Sequence, residues 1–237
     1  EHCEFLNRAR EMINKRLPMV AGTGANSTSE AISLTQCAKK AQADAALLVT
    51  PYYNKPTQEG LYLHHKAIAE AVDIDQLLYN VPGRTACDML PETVQRLSLI
   101  KNIIGVKEAT GDLQRMHQIK SMVADDFLLL SGDDATGCQF ILQGGHGTIS
   151  VTANVAPAQM SRMCEAALEG NEQEAVKIDQ QIAELHKVLF VEANPIPVKW
   201  AVSKMGLCEN IFRLPMTPLD KKYHEQVLSV LKSTGIL

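Results

Sequence analysis

The chain has 237 residues, 46% of them hydrophobic and 21% charged, with a formal net charge of −4. This is ordinary globular usage, which excludes a disordered or fibrous chain, and slight acidity without a basic tract excludes nucleic acid or an anionic membrane as the main partner. No apolar run approaches the ~20 residues of a membrane-spanning helix, and the opening EHCEFLNRAR carries no signal-peptide pattern.

Six short apolar, β-branched runs predict strands: LPMVAGTG (17–24), AALLVTPYY (45–53), QLLYNVP (76–82), NIIGVKEAT (102–110), FLLLSGDD (127–134) and GTISVTAN (147–154). Their starts lie roughly 20–31 residues apart, the spacing of strand-helix units. Runs apolar on both faces suit parallel strands covered by helices. Amphipathic stretches at 29–43, 58–72 and 91–99 fill three of the intervals. Ser27 or Thr28 can cap the first of these, with Glu30 in its opening turn, and Pro91 suits a first helical position. After Val155 the strand signals stop, and helices are expected near 157–169, 172–192, 195–206 and 218–234, with Pro195 and Pro197 marking a break. Such alternation allows a doubly wound sheet or a (β/α)8 barrel. GTGANS (22–27) has only two of the three glycines of a dinucleotide fingerprint, so the α/β fold is read as a TIM barrel of which six strands are present.

Cys3, Cys37, Cys87, Cys138, Cys164 and Cys208 are too widely spaced for a CxxC motif and read as buried thiols of a reducing cytoplasm. Barrel chemistry sits at the C-terminal ends of strands. There the sequence places Tyr52 and Tyr53, Tyr79 with Arg84, Lys107 with Glu108, Asp133 with Asp134, and Ser150 with Thr152. Lys107 ends an otherwise apolar run, Ile103 to Val106. Facing a barrel interior, its ammonium form is desolvated and its amine can attack a carbonyl; the other reading pairs it with Glu108 or sends it to solvent. Tyr79 is either a proton-moving phenol beside an imine or a half-buried strand aromatic. Arg84, in the Pro-Gly turn VPGRT, either clamps a carboxylate bidentately or lies solvated. Asp133 and Asp134 have no third ligand close in sequence, so a turn or cap role is expected and no metal site. His64 and His65 read as a helix-surface pair, and Met116, Met122, Met160 and Met163 as core filler. Lys199, beside Trp200, reads as an exposed charge rather than a rival nucleophile.

The segments PYYNKP (51–56), YNVPGRT (79–85), GVKEATGDL (105–113), SGDDA (131–135), GTISVTANVAP (147–157) and NPIPVKW (194–200) resemble, in order and over essentially the whole chain, the dihydrodipicolinate synthase family, in its Gram-negative bacterial form. The resemblance implies a barrel portion over 1–170, a C-terminal helical domain over 171–237, no cofactor or metal, and a homotetramer built as a dimer of dimers. It implies class I aldolase chemistry in lysine and diaminopimelate biosynthesis. Lys107 matches the Schiff-base lysine that condenses with pyruvate, whose enamine then attacks L-aspartate 4-semialdehyde. Tyr79 matches the proton-relay tyrosine, Tyr53 the tyrosine each subunit lends to its neighbour, and Arg84 the arginine that gathers the semialdehyde's carboxylate. Gly132 and Ile149 match positions lining the pyruvate pocket. His2, Asn26, Glu30 and Tyr52 match the site at which L-lysine inhibits family members allosterically.

The family's first two strands, and a Gly-Thr-Thr-Gly-Glu loop whose threonines serve the relay and bind pyruvate's carboxylate, find no counterpart. That is a shortfall of roughly 50–60 residues at the front. Two alternatives stand beside this reading. Another pyruvate-dependent aldolase, such as N-acetylneuraminate lyase, would share Lys107 and Tyr79, but Arg84 suits a small carboxylated aldehyde better than a polyhydroxy chain. A catalytically incomplete fragment would keep the site residues by descent.

Overall fold

Runs of four to six apolar residues become strands here because they are buried on both faces and too short to hold a helix. In the computed structural model, which describes residues 1–237, Leu77 and Leu78 point to opposite faces of one strand and both are buried. The chain divides into two compact units, residues 1–132 and 133–237. The division falls within the strand-helix repeat, ahead of the boundary at 170/171 that the resemblance implies.

The first unit runs α1 (His2–Ile13), β1 (Val20–Gly22), α2 (Thr28–Lys40), β2 (Ala45–Val49), α3 (Gln58–Ala71), β3 (Asp75–Asn80), α4 (Pro82–Thr85), α5 (Pro91–Ser98), β4 (Ile103–Glu108), α6 (Leu113–Lys120) and β5 (Leu128–Ser131). Its five strands pair in sequence order and always in parallel, as successive βα units require. Between β3 and β4 the register slips: Gln76 faces Ile103, but Leu77 faces Gly105. Local chemistry sets the helix starts. Thr57 Oγ1 caps α3 by accepting from Gly60 N at 3.1 Å, and Asp112 caps α6 through Gln114 N at 2.9 Å. Ser27 holds the cap position of α2 without a side-chain bond, and Pro91 opens α5 as expected.

The second unit runs α7 (Asp134–Leu142), β6 (Gly147–Thr148), a 3-10 turn (Thr152–Asn154), α8 (Pro157–Leu168), α9 (Glu172–Val188), α10 (Ile196–Lys204), a second 3-10 turn (Lys221–Tyr223) and α11 (His224–Ser233). Its core gathers Met160, Met163, Ile182, Leu185, Trp200 and Leu231. Asp133 caps α7, its carboxylate accepting from Thr136 N at 3.0 Å, the role its position in the sequence predicts. No helix is long and apolar enough to cross a membrane.

Three expectations need correction. His64 and His65 are not a surface pair: both are buried on α3, between Leu61 and Ile68 at helical spacing. Cys3 and Cys37 are not free thiols. The packing of α1 on α2 brings their Cα atoms within 5.5 Å and they form a disulfide, while Cys87 and Cys138 are buried thiols and Cys208 is exposed. Lys199 is half-buried, with its Nζ 5.0 Å from the centre of the Phe212 ring.

Neither ring nitrogen of His65 has a hydrogen-bond partner, and burial, reinforced by the neighbouring His64, pushes its pKa from 6.5 down to about 3. A ring kept neutral in the fold but free to protonate when unfolded stabilises fully above pH 6.5. That contribution is lost as pH falls from 6.5 toward 3. Substitution His65→Leu is expected to flatten the acid limb of the stability curve across that window, read by urea denaturation at several pH values. An acid limb as steep as the parent's would contradict this.

Candidate active site

Side chains alternate along a strand, so the last two residues of β3 and of β4 face opposite ways. The slipped register pairs Tyr79 with Lys107 and Asn80 with Glu108. One face of the two strand ends thus carries a phenol and an amine, and the other carries an amide and a carboxylate.

Lys107 is buried, at 9% exposure, and its Nζ lies 4.2 Å from the centre of the Tyr79 ring. That is cation-π range, and a ring at this distance gives the amine a fixed neighbour rather than leaving it to wander. Next to it stands Gly132, at the end of β5. A Cβ there would come within 2.8 Å of Lys107 Cε and 2.5 Å of Ala109 Cβ. The residue is glycine because the lysine side chain passes over it. Burial raises the pKa of the half-buried Tyr79 phenol, with the Arg84 charge pulling the other way, so the hydroxyl keeps its proton at neutral pH.

Glu108 is not on the lysine's side of the strand. Its carboxylate accepts from Asn80 Nδ2 at 3.0 Å and from Thr110 N at 2.8 Å. Burial pushes its pKa up, against these bonds. The alternative reading of Lys107 as a surface residue or a partner of Glu108 therefore loses to the strand's own alternation.

Arg84 sits exposed on the single turn of α4, opened by Pro82. The buried Thr85 hydroxyl locks that turn, donating to Cys87 O at 2.9 Å and accepting from Cys87 N at 3.2 Å. Tyr53 is 87% exposed with φ of +74°, and its backbone N–H donates to Thr85 O at 3.3 Å. A left-handed backbone at a non-glycine residue costs roughly 1–3 kcal/mol, and here it projects an aromatic ring into solvent.

Of the four residues matched to a lysine site, His2 and Glu30 are exposed on α1 and α2, the two helices that the disulfide joins. Tyr52 is exposed and Asn26 half-buried, and Asn54 Nδ2 donates to Asn26 O at 2.9 Å, tying their two loops. Ile149 belongs to the second unit. The residues after it are held by Asp134, whose buried carboxylate accepts from Val151 N and Thr152 N, both at 2.9 Å. Thr152 Oγ1 in turn lies 2.8 Å from His186 Nδ1. His186 is a contribution that sequence reading missed, and Asp134 reaches further than the turn or cap role expected of it, because each acts on a residue many positions away.

An amine beside a protonated phenol at the ends of parallel strands is an arrangement able to work on carbonyl compounds, the chemistry of one class of lyases. Comparison with known proteins narrows it. The dihydrodipicolinate synthetase family matches residues 1–234. The 4-hydroxy-tetrahydrodipicolinate synthase of Stutzerimonas stutzeri (strain A1501) is 59% identical over 237 residues, which is 100% of this chain and 81% of that protein. Among solved structures, the chloride-inhibited dihydrodipicolinate synthase from Acinetobacter baumannii, complexed with pyruvate, is 52% identical. Its TM-score is 0.98, over 100% of this chain and 81% of that one. The enzyme from Cyanidioschyzon merolae with lysine bound is 36% identical at a TM-score of 0.96, over 100% and 81%. This chain belongs to the dihydrodipicolinate synthetase family, and its fold is that of the family's TIM-barrel lyases.

Filling the space over Gly132 should disturb the lysine directly. Gly132→Ala is expected to cost about 1–3 kcal/mol by overpacking against Lys107 and Ala109, measured from denaturation midpoints. A midpoint equal to the parent's would show that the lysine stem moves aside freely.

Proposed function

We propose that this chain, in the cytoplasm and as part of a dimer-of-dimers homotetramer, is a 4-hydroxy-tetrahydrodipicolinate synthase condensing pyruvate with L-aspartate 4-semialdehyde. The observation that carries the proposal is the buried amine of Lys107 set against the Tyr79 ring. The neutral amine attacks the keto carbon of pyruvate, and loss of water gives an imine. Removal of a methyl proton gives the enamine, which forms the new carbon–carbon bond at the semialdehyde's aldehyde carbon. The substrate's own amine then closes the ring on the imine carbon and displaces Lys107, which regains its free amine. Each step moves a proton, and Tyr79, whose phenol stays protonated, is the group at hand to relay it. Gly132, over which the lysine side chain passes, and Ile149 are assigned to the lining of the keto acid's pocket.

Arg84 gathers the semialdehyde's carboxylate from the exposed turn of α4, a setting that favours this substrate over a polyhydroxy sugar acid. Tyr53 serves a neighbouring subunit's relay. Its 87% exposure on a strained backbone supports that role, since a ring held outward at a conformational cost has a reason to be there. His2, Asn26, Glu30 and Tyr52 are assigned to feedback inhibition by L-lysine, whose amino groups suit the Glu30 carboxylate. The lysine-bound relative supports this assignment.

A coupled assay should show turnover that requires both pyruvate and the semialdehyde, with no cleavage of N-acetylneuraminate. Tyr79→Phe is expected to lower kcat by about 10²–10⁴ with little change in KM for pyruvate. In the same assay millimolar L-lysine should inhibit, and Glu30→Ala should relieve it. Sugar-acid cleavage, or full activity in Tyr79→Phe, would overturn the reading.

A further inference from the structure

The face of β3 and β4 opposite Tyr79 and Lys107 carries a polar network that the reaction itself does not use. It begins at Asn80, which is fully buried. Its Nδ2 donates to Glu108 Oε2 at 3.0 Å and to Asp88 Oδ1 at 2.9 Å, while its Oδ1 accepts from Met89 N at 2.9 Å. Arg115, on α6, grips Asp88 with both arms of its guanidinium, at 2.6 and 2.8 Å. Gln58, at the start of α3, holds the same stretch by its backbone, donating to Asp88 O at 2.7 Å and accepting from Leu90 N at 3.1 Å.

These bonds converge on one piece of chain. The segment from Val81 to Leu90 leaves β3, makes the turn that carries Arg84, and returns to α5. Its outgoing end is fixed by the strand and its return by Asp88, Met89 and Leu90. A loop tied at both ends, and locked across its middle by Thr85, can hold a guanidinium in one place although the guanidinium itself is exposed. The anchor is asymmetric in its chemistry. A bidentate Arg–carboxylate pair is directional, so it sets the angle of the loop as well as its distance from α6.

We propose that Asp88 and Arg115, acting through Asn80, are positioning residues for Arg84, and so set recognition of the carboxylated aldehyde rather than of the keto acid. This rests on the role given to Arg84 above. The face that holds Lys107 and Tyr79 is built on strand backbone and needs no help from the loop. Loosening Asp88 therefore separates the two substrates kinetically, which a general loss of stability would not do.

The test is steady-state kinetics of Asp88→Asn, which keeps the shape and gives up the ion pair, in the full chain. KM for the carboxylated aldehyde should rise about tenfold, with KM for pyruvate and the rate of pyruvate imine formation within about twofold of the parent. Arg115→Lys keeps the charge, loses the fork, and should show the same split should Asp88→Asn fold poorly. Combined with Arg84→Ala, either change should add less than about twofold, because the residue being positioned is gone. Multiplying effects, or equal rises in both KM values, would overturn the proposal. An unchanged aldehyde KM in Arg84→Ala alone would overturn the role of Arg84 itself.

Discussion

Between β3 and β4 the parallel register skips one residue, so that Gln76 faces Ile103 and Leu77 faces Gly105. Because side chains point alternately to the two faces, the skip decides which way each strand end presents its last residues relative to its neighbour. Without it Tyr79 would lie opposite Val106, and Lys107 would face the same way as Asn80. With it, phenol and amine share one face, amide and carboxylate the other. Gly105 stands at the slip, where a Cβ would come within 2.5 Å of Leu128 O, 2.6 Å of Leu128 Cβ and 2.9 Å of Leu77 Cδ2. Only a residue with no side chain lets β4 pass that close to both neighbours.

The two faces divide the work. Tyr79, Lys107 and Gly132 form one small cluster in which Lys107 lies against both of the others. Asn80, Glu108, Asp88 and Arg115 make a support whose partners come from four separate stretches of chain. Asn80 and Glu108 are buried and Asp88 and Arg115 half-buried; such polar groups are costly unless bonded, and this set is bonded densely, which fixes one arrangement in preference to many. Arg84 and Tyr53 lie outside both sets, exposed on loops joined through Thr85. Their positions come from backbone and neighbours rather than from their own packing.

The sequence made the architecture legible because strand runs and helix caps are local signals. Asp133 bonds a residue three positions on and Thr57 does the same, so spacing alone finds them. Lys107 stood out as an amine ending an apolar run. His65 follows the same logic: it lies four residues after Leu61 and three before Ile68, so its period marks it as buried although its polarity points to the surface. Other features leave no local trace. The Cys3–Cys37 bond joins residues 34 apart, the clasp of Arg115 on Asp88 joins residues 27 apart, and the register slip belongs to a pair of strands rather than to either one. Motif resemblance supplied roles for Tyr53 and Arg84, but not the strained backbone of Tyr53 or the anchors beneath Arg84.

Register and packing single out one amine among the lysines of this chain. Reductive trapping tests this most directly: pyruvate with borohydride, followed by peptide mapping of the modified site. One reduced pyruvyl group per chain is expected, on Lys107. No adduct, or an adduct on Lys199, would contradict it.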